Sequence, residues 1–143
     1  YEPDPHLVVF ALGAADMAEY DSTDTTWETT AATAMATLIT QTMTGYDHMP
    51  RVLVVLPPVA GPVNAAGEDV VRKALSTAVA TVLSAGARSL DVGLVDLLAD
   101  AALAAQNLGP WDVVLTRAQH AWLGRSGGAF DTAVRAAFAH VLP

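Results

Sequence analysis

Apolar and polar positions along this chain follow two rhythms. The first is the short unbroken apolar run. Residues 7–12 (Leu-Val-Val-Phe-Ala-Leu) form one such run, with Pro3 and Pro5 before it and Gly13 and then Asp16 after it. A run this short and apolar on both faces predicts a strand buried on both sides, as in the interior of a parallel sheet. Residues 51–56 (Arg-Val-Leu-Val-Val-Leu) form the second run, ended by Pro57 and Pro58, which cannot continue a central ladder. Residues 89–95 form the third, less apolar because of Asp91.

The second rhythm is helical. Trp27, Ala31, Met35, Leu38, Ile39 and Met43 fall on one face, with Thr25 and Glu28 at capping-box spacing before them and Gly45 as a left-handed stop. Residues 68–85 carry a stripe of Val71, Leu75, Ala78, Val79, Val82 and Leu83, closed by Gly86. Glu68 and Asp69 in the first turn suit the helix dipole. After the third strand, Asp96 opens a short helix over 97–107, stopped by Gly109 and Pro110. A short extended piece over 111–115 follows. Thr116 and Gln119 then start a helix carrying Ala121, Trp122 and Leu123, which Gly124, Gly127 and Gly128 interrupt. A final helix over 129–141 packs Phe130, Val134, Phe138 and Val141.

Strands alternating with helices of this length imply right-handed crossovers and a parallel sheet covered on both faces. The predicted fold is a three-layer α/β/α sandwich with a short parallel sheet, flavodoxin-like, in which ligands bind beyond the carboxyl ends of the strands. The length of 143 residues suits a single domain. Three strands are fewer than the roughly 5–6 of most sheets. With Tyr1 as first residue, that deficit reads as a fragment or processed part of a longer chain, short of one N-terminal strand–helix unit.

Composition narrows the function classes. The chain is 52% hydrophobic and 15% charged, with a net charge of −8. An acidic surface repels phosphate backbones and anionic membranes, so nucleic acid is an unsuitable partner. The absence of Cys excludes disulfides, thiolate catalysis and Cys-ligated zinc. His6, His48 and His140 are far apart and lack metal-ligand spacing, and no metal or other cofactor is expected. There is no dinucleotide fingerprint, no Walker motif and no Gly-x-Ser-x-Gly elbow. No apolar run is long enough for a membrane span.

The ordered series Pro5-His-Leu-Val-Val-Phe-Ala-Leu-Gly-Ala-Ala-Asp16, Arg51-Val-Leu-Val-Val-Leu-Pro-Pro58, Gly93-Leu-Val-Asp-Leu-Leu98 and Leu115-Thr-Arg-Ala-Gln-His-Ala-Trp-Leu-Gly124 resembles the SGNH (GDSL-type) hydrolases. The resemblance spans most of the chain. It implies a flavodoxin-like fold and hydrolysis of esters or acyl groups, on polysaccharides or lipids. It also marks where the pattern fails. The Gly-Asp-Ser nucleophile and the oxyanion glycine have no counterpart here and belong to a region before Tyr1. The Gly-x-Asn-Asp block reads Gly13-Ala14-Ala15-Asp16, with Ala15 in place of the donor Asn. In the Asp-x-x-His block before Leu115-Thr116, Trp111 and Val114 occupy the Asp and His positions, while His120 matches a second His of the family.

A serine hydroxyl needs an adjacent base, and losing one oxyanion donor costs roughly 10²–10³ in rate. The leading expectation is therefore a degenerate SGNH-hydrolase-like domain, a pseudoenzyme serving as a binding or structural module. Gly13, Asp16 and Trp111 would line its cleft, Asp16 also being suited simply to capping its loop. Carbohydrate, an acylated envelope polymer or other protein subunits are the partners this implies. The Ala-, Val- and Thr-rich composition suits the extracellular envelope of a high-GC actinobacterium or the virion of its phage. One alternative is an active ester or acyl hydrolase, with Asp112 and His120 as a shifted catalytic dyad and a nucleophile from an upstream segment or partner chain. Another is a structural subunit of a larger assembly, packed through the Thr-rich face of the first helix.

Overall fold

Three short runs rich in valine and leucine form the sheet, because β-branched and bulky apolar side chains fit a pleated, buried surface. A computed structural model of the protein describes residues 4–13, 16–17, 20–56, 65–97 and 117–138. Strands β1 (Leu7–Ala11), β2 (Arg51–Leu56) and β3 (Val92–Asp96) pair in that order, all parallel. Leu7 lies opposite Arg51 and Val52 opposite Val92, and the register runs without a bulge. Helix α1 (Trp27–Thr44) connects β1 to β2, and α2 (Ala65–Ser84) lies between β2 and β3. Both crossovers advance in the same direction across the sheet. Two right-handed crossovers that do so place their helices on one face, and α1 and α2 pack against each other. Helices α3 (Arg117–Leu123) and α4 (Ala129–Phe138) follow.

The sheet separates two cores. Val52, Val54, Leu56 and Val92 join Ile39 and Met43 of α1 and Val71, Leu75 and Val82 of α2. On the other face Leu53, Val55, Val95 and Leu97 meet Leu7, Leu123, Phe130 and Val134. The described residues thus form an α/β fold with a three-stranded parallel sheet and helices on both faces. β2 is central, and five of its six residues are buried.

β1 differs from its expected place. It pairs with β2 alone among the described residues and forms an edge of the sheet, with Val9 39% exposed and Ala11 also open to solvent. A run apolar on both faces does not distinguish an interior strand from an edge. Val8 and Phe10 share the face of Val52 and Val54 by register, whereas α4 packs over β3 and leaves Val9 and Ala11 uncovered.

Element ends also differ from the sequence pattern. The buried stripe of α1 is Ala32, Ala36, Ile39 and Met43, so the helix is rotated away from Ala31 and Leu38. The capping box at Thr25 and Glu28 gives way to Asp24, whose Oδ1 accepts from the Thr26 backbone N–H at 2.9 Å and its hydroxyl at 2.8 Å. Gly45 ends α1 in a right-handed conformation at φ −83°, whereas Gly86 after α2 adopts φ +110°. β3 starts at Val92 because Asp91 closes the preceding turn, its Oδ2 accepting the Arg88 backbone N–H at 3.1 Å. Asp96 ends β3. The pieces expected over 97–107 and 111–115 lie outside the described residues, apart from buried Leu97.

Candidate functional site

The carboxyl ends of the strands are where an α/β sheet holds ligands, and here two glycines shape that end. Gly13 follows β1 at φ +100°, and its carbonyl accepts the Met17 N–H at 2.9 Å, closing one turn. A Cβ at Gly13 would sit 2.6 Å from Val71 Cγ1. A Cβ at Gly67, in the first turn of α2, would sit 2.5 Å from the Met17 carbonyl oxygen. Both positions therefore require the absence of a side chain, and Gly13 also requires a backbone conformation that L-residues rarely adopt. The turn after β1 is consequently seated on the start of α2, with Met17 fully buried between them. Tyr20 meets Trp27 edge to face, ring centroids 5.9 Å apart, a favoured aromatic geometry.

A cavity of about 260 Å³ opens beside this turn, lined by Leu12, Gly13, Asp16, Trp27, Met35, Leu38 and Val71 among others. Its walls are apolar except for Asp16, which is exposed at the lip. Next to Val71, Arg72 directs Nε to Asp96 Oδ2 at 2.8 Å and Nη1 to Glu68 Oε1. This links the end of β3 to the first turn of α2 through one guanidinium and two carboxylates. All three side chains are roughly one-third exposed or less.

Of the predicted site residues, Gly13 and Asp16 come together in this cavity. Trp111 and Asp112 lie outside the described residues, as does the side chain of His120. The backbone of His120 is in α3, whose Leu123 packs on the opposite face of the sheet from α1 and α2. Sequence reasoning missed the Arg72 cluster. Glu68 and Arg72 were visible as an i,i+4 pair on a helix, but Asp96, 24 positions from Arg72, joins them only through the fold.

A second groove, of about 440 Å³, runs between α1 and α2 and is lined by Thr29, Thr33, Thr37, Thr40, Thr77 and Thr81. The hydroxyls of Thr33, Thr37, Thr40 and Thr81 donate to carbonyls four residues back. At those four positions the groove therefore offers methyl groups and oxygen lone pairs rather than hydroxyl donors. Among the described residues, no three His, Asp or Glu side chains cluster to hold a metal ion. No described helix is long and apolar enough to cross a membrane.

No protein-family model, curated protein or solved structure matches this chain.

Proposed function

We propose that the chain is a flavodoxin-like, SGNH-hydrolase-like domain that binds an acyl-bearing ligand without cleaving it. The observation that carries this reading is the apolar cavity beside the Gly13 turn, at the carboxyl end of β1, with Trp27 in its wall and Asp16 at its lip. Apolar walls favour an acyl chain by removing it from water, and a lone exposed carboxylate beside them suits hydrogen bonding to sugar hydroxyls. The departures from the family pattern at Ala15 and Val114 supply the rest: the oxyanion donor and the base are replaced by apolar residues. An acylated envelope carbohydrate is the ligand class that joins these features.

Titrating the protein with hexanoyl glucoside, followed by tryptophan fluorescence, tests this reading. Saturable quenching is expected, lost in Trp27→Phe and weakened at least tenfold in Ala34→Phe, which fills the cavity from an exposed helix position. Hydrolysis of p-nitrophenyl hexanoate should not exceed the buffer rate. Turnover that disappears in His120→Ala would replace this reading with that of an active hydrolase. The outer edge of β1, without a strand neighbour among the described residues, supports a second reading, a subunit of a larger assembly, through exposed Val9 and an edge of the kind that recruits another strand.

A further inference from the structure

Two adjacent residues of α2 reach the carboxyl ends of β1 and β3. Val71 meets the turn after β1, where a Cβ on Gly13 would come within 2.6 Å of its Cγ1. Arg72 lies about 100° further round the helix. It donates from Nε to Asp96 Oδ2, at the end of β3, at 2.8 Å, and from Nη1 to Glu68 one turn back. Strands two apart are separated by roughly 10 Å, so α2 spans the carboxyl end of the sheet. One turn nearer its start, buried Gly67 faces the Met17 carbonyl. Gly13 and Gly67 leave no room for a Cβ, and Val71 and Met17 beside them are 1% and 0% exposed. At contacts packed this closely a shift of α2 passes to the turn instead of being taken up by a void.

We propose that Arg72 is a positioning residue. By holding the first turns of α2 to the end of β3 it fixes the seat of the Gly13–Met17 turn, and so the wall that Gly13, Asp16 and Val71 give the cavity. Its ion pairs stabilise little by themselves, because all three side chains are partly open to water. Their place distinguishes them: one planar guanidinium holds two carboxylates that belong to different elements. Lys73, the next residue, offers the contrast. It pairs with Asp69 on the same helix, and both side chains are more than half exposed. That pair ties α2 to itself and not to the sheet.

Hydrogen exchange at the Met17 amide, which donates to the Gly13 carbonyl, tests this placement in the full chain without any ligand. Arg72→Met and Asp96→Asn should each speed it by about fivefold or more, and by more than any change at the β2 amides. The double variant should exchange no faster than Arg72→Met alone, because both changes remove one link. Arg72→Lys keeps the charge without the planar fork and should fall between the parent and Arg72→Met. Lys73→Met should leave Met17 within about twofold of the parent. Unchanged exchange in Arg72→Met, equal acceleration at β2, additive effects in the double variant, or the same acceleration in Lys73→Met would each overturn the assignment. The consequence for binding rests on the acyl-cavity reading. There, Arg72→Met should raise the Kd for hexanoyl glucoside about threefold or more, and an unchanged Kd would overturn that consequence. If the parent protein does not bind the glucoside, the acyl reading falls, and Met17 exchange decides on Arg72 by itself.

Discussion

Among the described residues, Asp91 is the buried charged side chain, 4% exposed, and its surroundings explain how the fold accommodates it. Hydrogen bonds from the Arg88 side chain hold its carboxyl below the usual carboxylate range, helped by the Arg88 backbone N–H and by the charges of Arg88 and Arg51 and opposed by burial. A carboxylate with a lower pKa folded than unfolded, where it is about 3.9, adds stability above that value. It loses that contribution as pH falls through the folded pKa. Asp91→Asn is expected to cost about 1–2 kcal/mol at pH 7, the low end for a charged hydrogen bond because Arg88 is largely exposed. Urea unfolding at pH 7 and pH 3 checks this: the difference between variant and parent should shrink at the lower pH. A difference independent of pH would show that the Arg88 contacts do not act through the ionised carboxylate. Asp21, Asp24 and Asp131 are likewise held low, by hydrogen bonds chiefly from Thr23, Thr26 and Arg135.

At the scale of the element, α1 illustrates how a helix can be foreseen and yet be oriented differently. Its length and periodicity were legible, because apolar residues recur every three to four positions between a polar Thr-rich segment and Gly45. Its rotation was not. Alanines at 31, 32, 34 and 36 suit either of two adjacent stripes, and the choice is made by what α2 and the sheet present to them. The observed stripe buries Ile39 completely and leaves Leu38 38% exposed, although the two differ little in hydrophobicity. Ile39→Ala should therefore cost about 2–5 kcal/mol by removing packed methyl groups and leaving a cavity. Leu38→Ala should cost under about 1 kcal/mol, because half-open positions lose little burial. Chemical denaturation of both variants measures the helix rotation directly; equal costs would contradict it. β1 poses a parallel case. Its strand character follows from composition, but its edge position depends on which neighbours arrive.

At the scale of the whole molecule, stability is expected to be uneven. β2 has a strand on each side and a core on each face, whereas β1 has one strand neighbour among the described residues and a partly bare face. Amides in such a centre exchange only on global opening, and those at a free edge exchange through local opening. Hydrogen exchange should accordingly find β2 amides slowest and β1 edge amides fast at low protein concentration. Protection of β1 that grows with concentration would favour the assembly reading over the ligand-binding one, since pairing of the edge with another chain would cover it.

The sequence by itself determined the alternation of strands and helices, the three strands, and the glycine turn after β1, because these depend on local periodicity and on backbone freedom. Gly13 and Asp16, singled out in the sequence, line one cavity and lie close together along the chain. Only the tertiary structure decided that β1 is an edge, that α1 turns Ile39 rather than Leu38 inward, and that Arg72 joins Glu68 to Asp96. The same holds for Arg51, whose Nη1 is buried without an acceptor. Each of these depends on side chains brought together from distant positions, and the energy of such contacts is set by packing and desolvation in three dimensions rather than by neighbours in sequence.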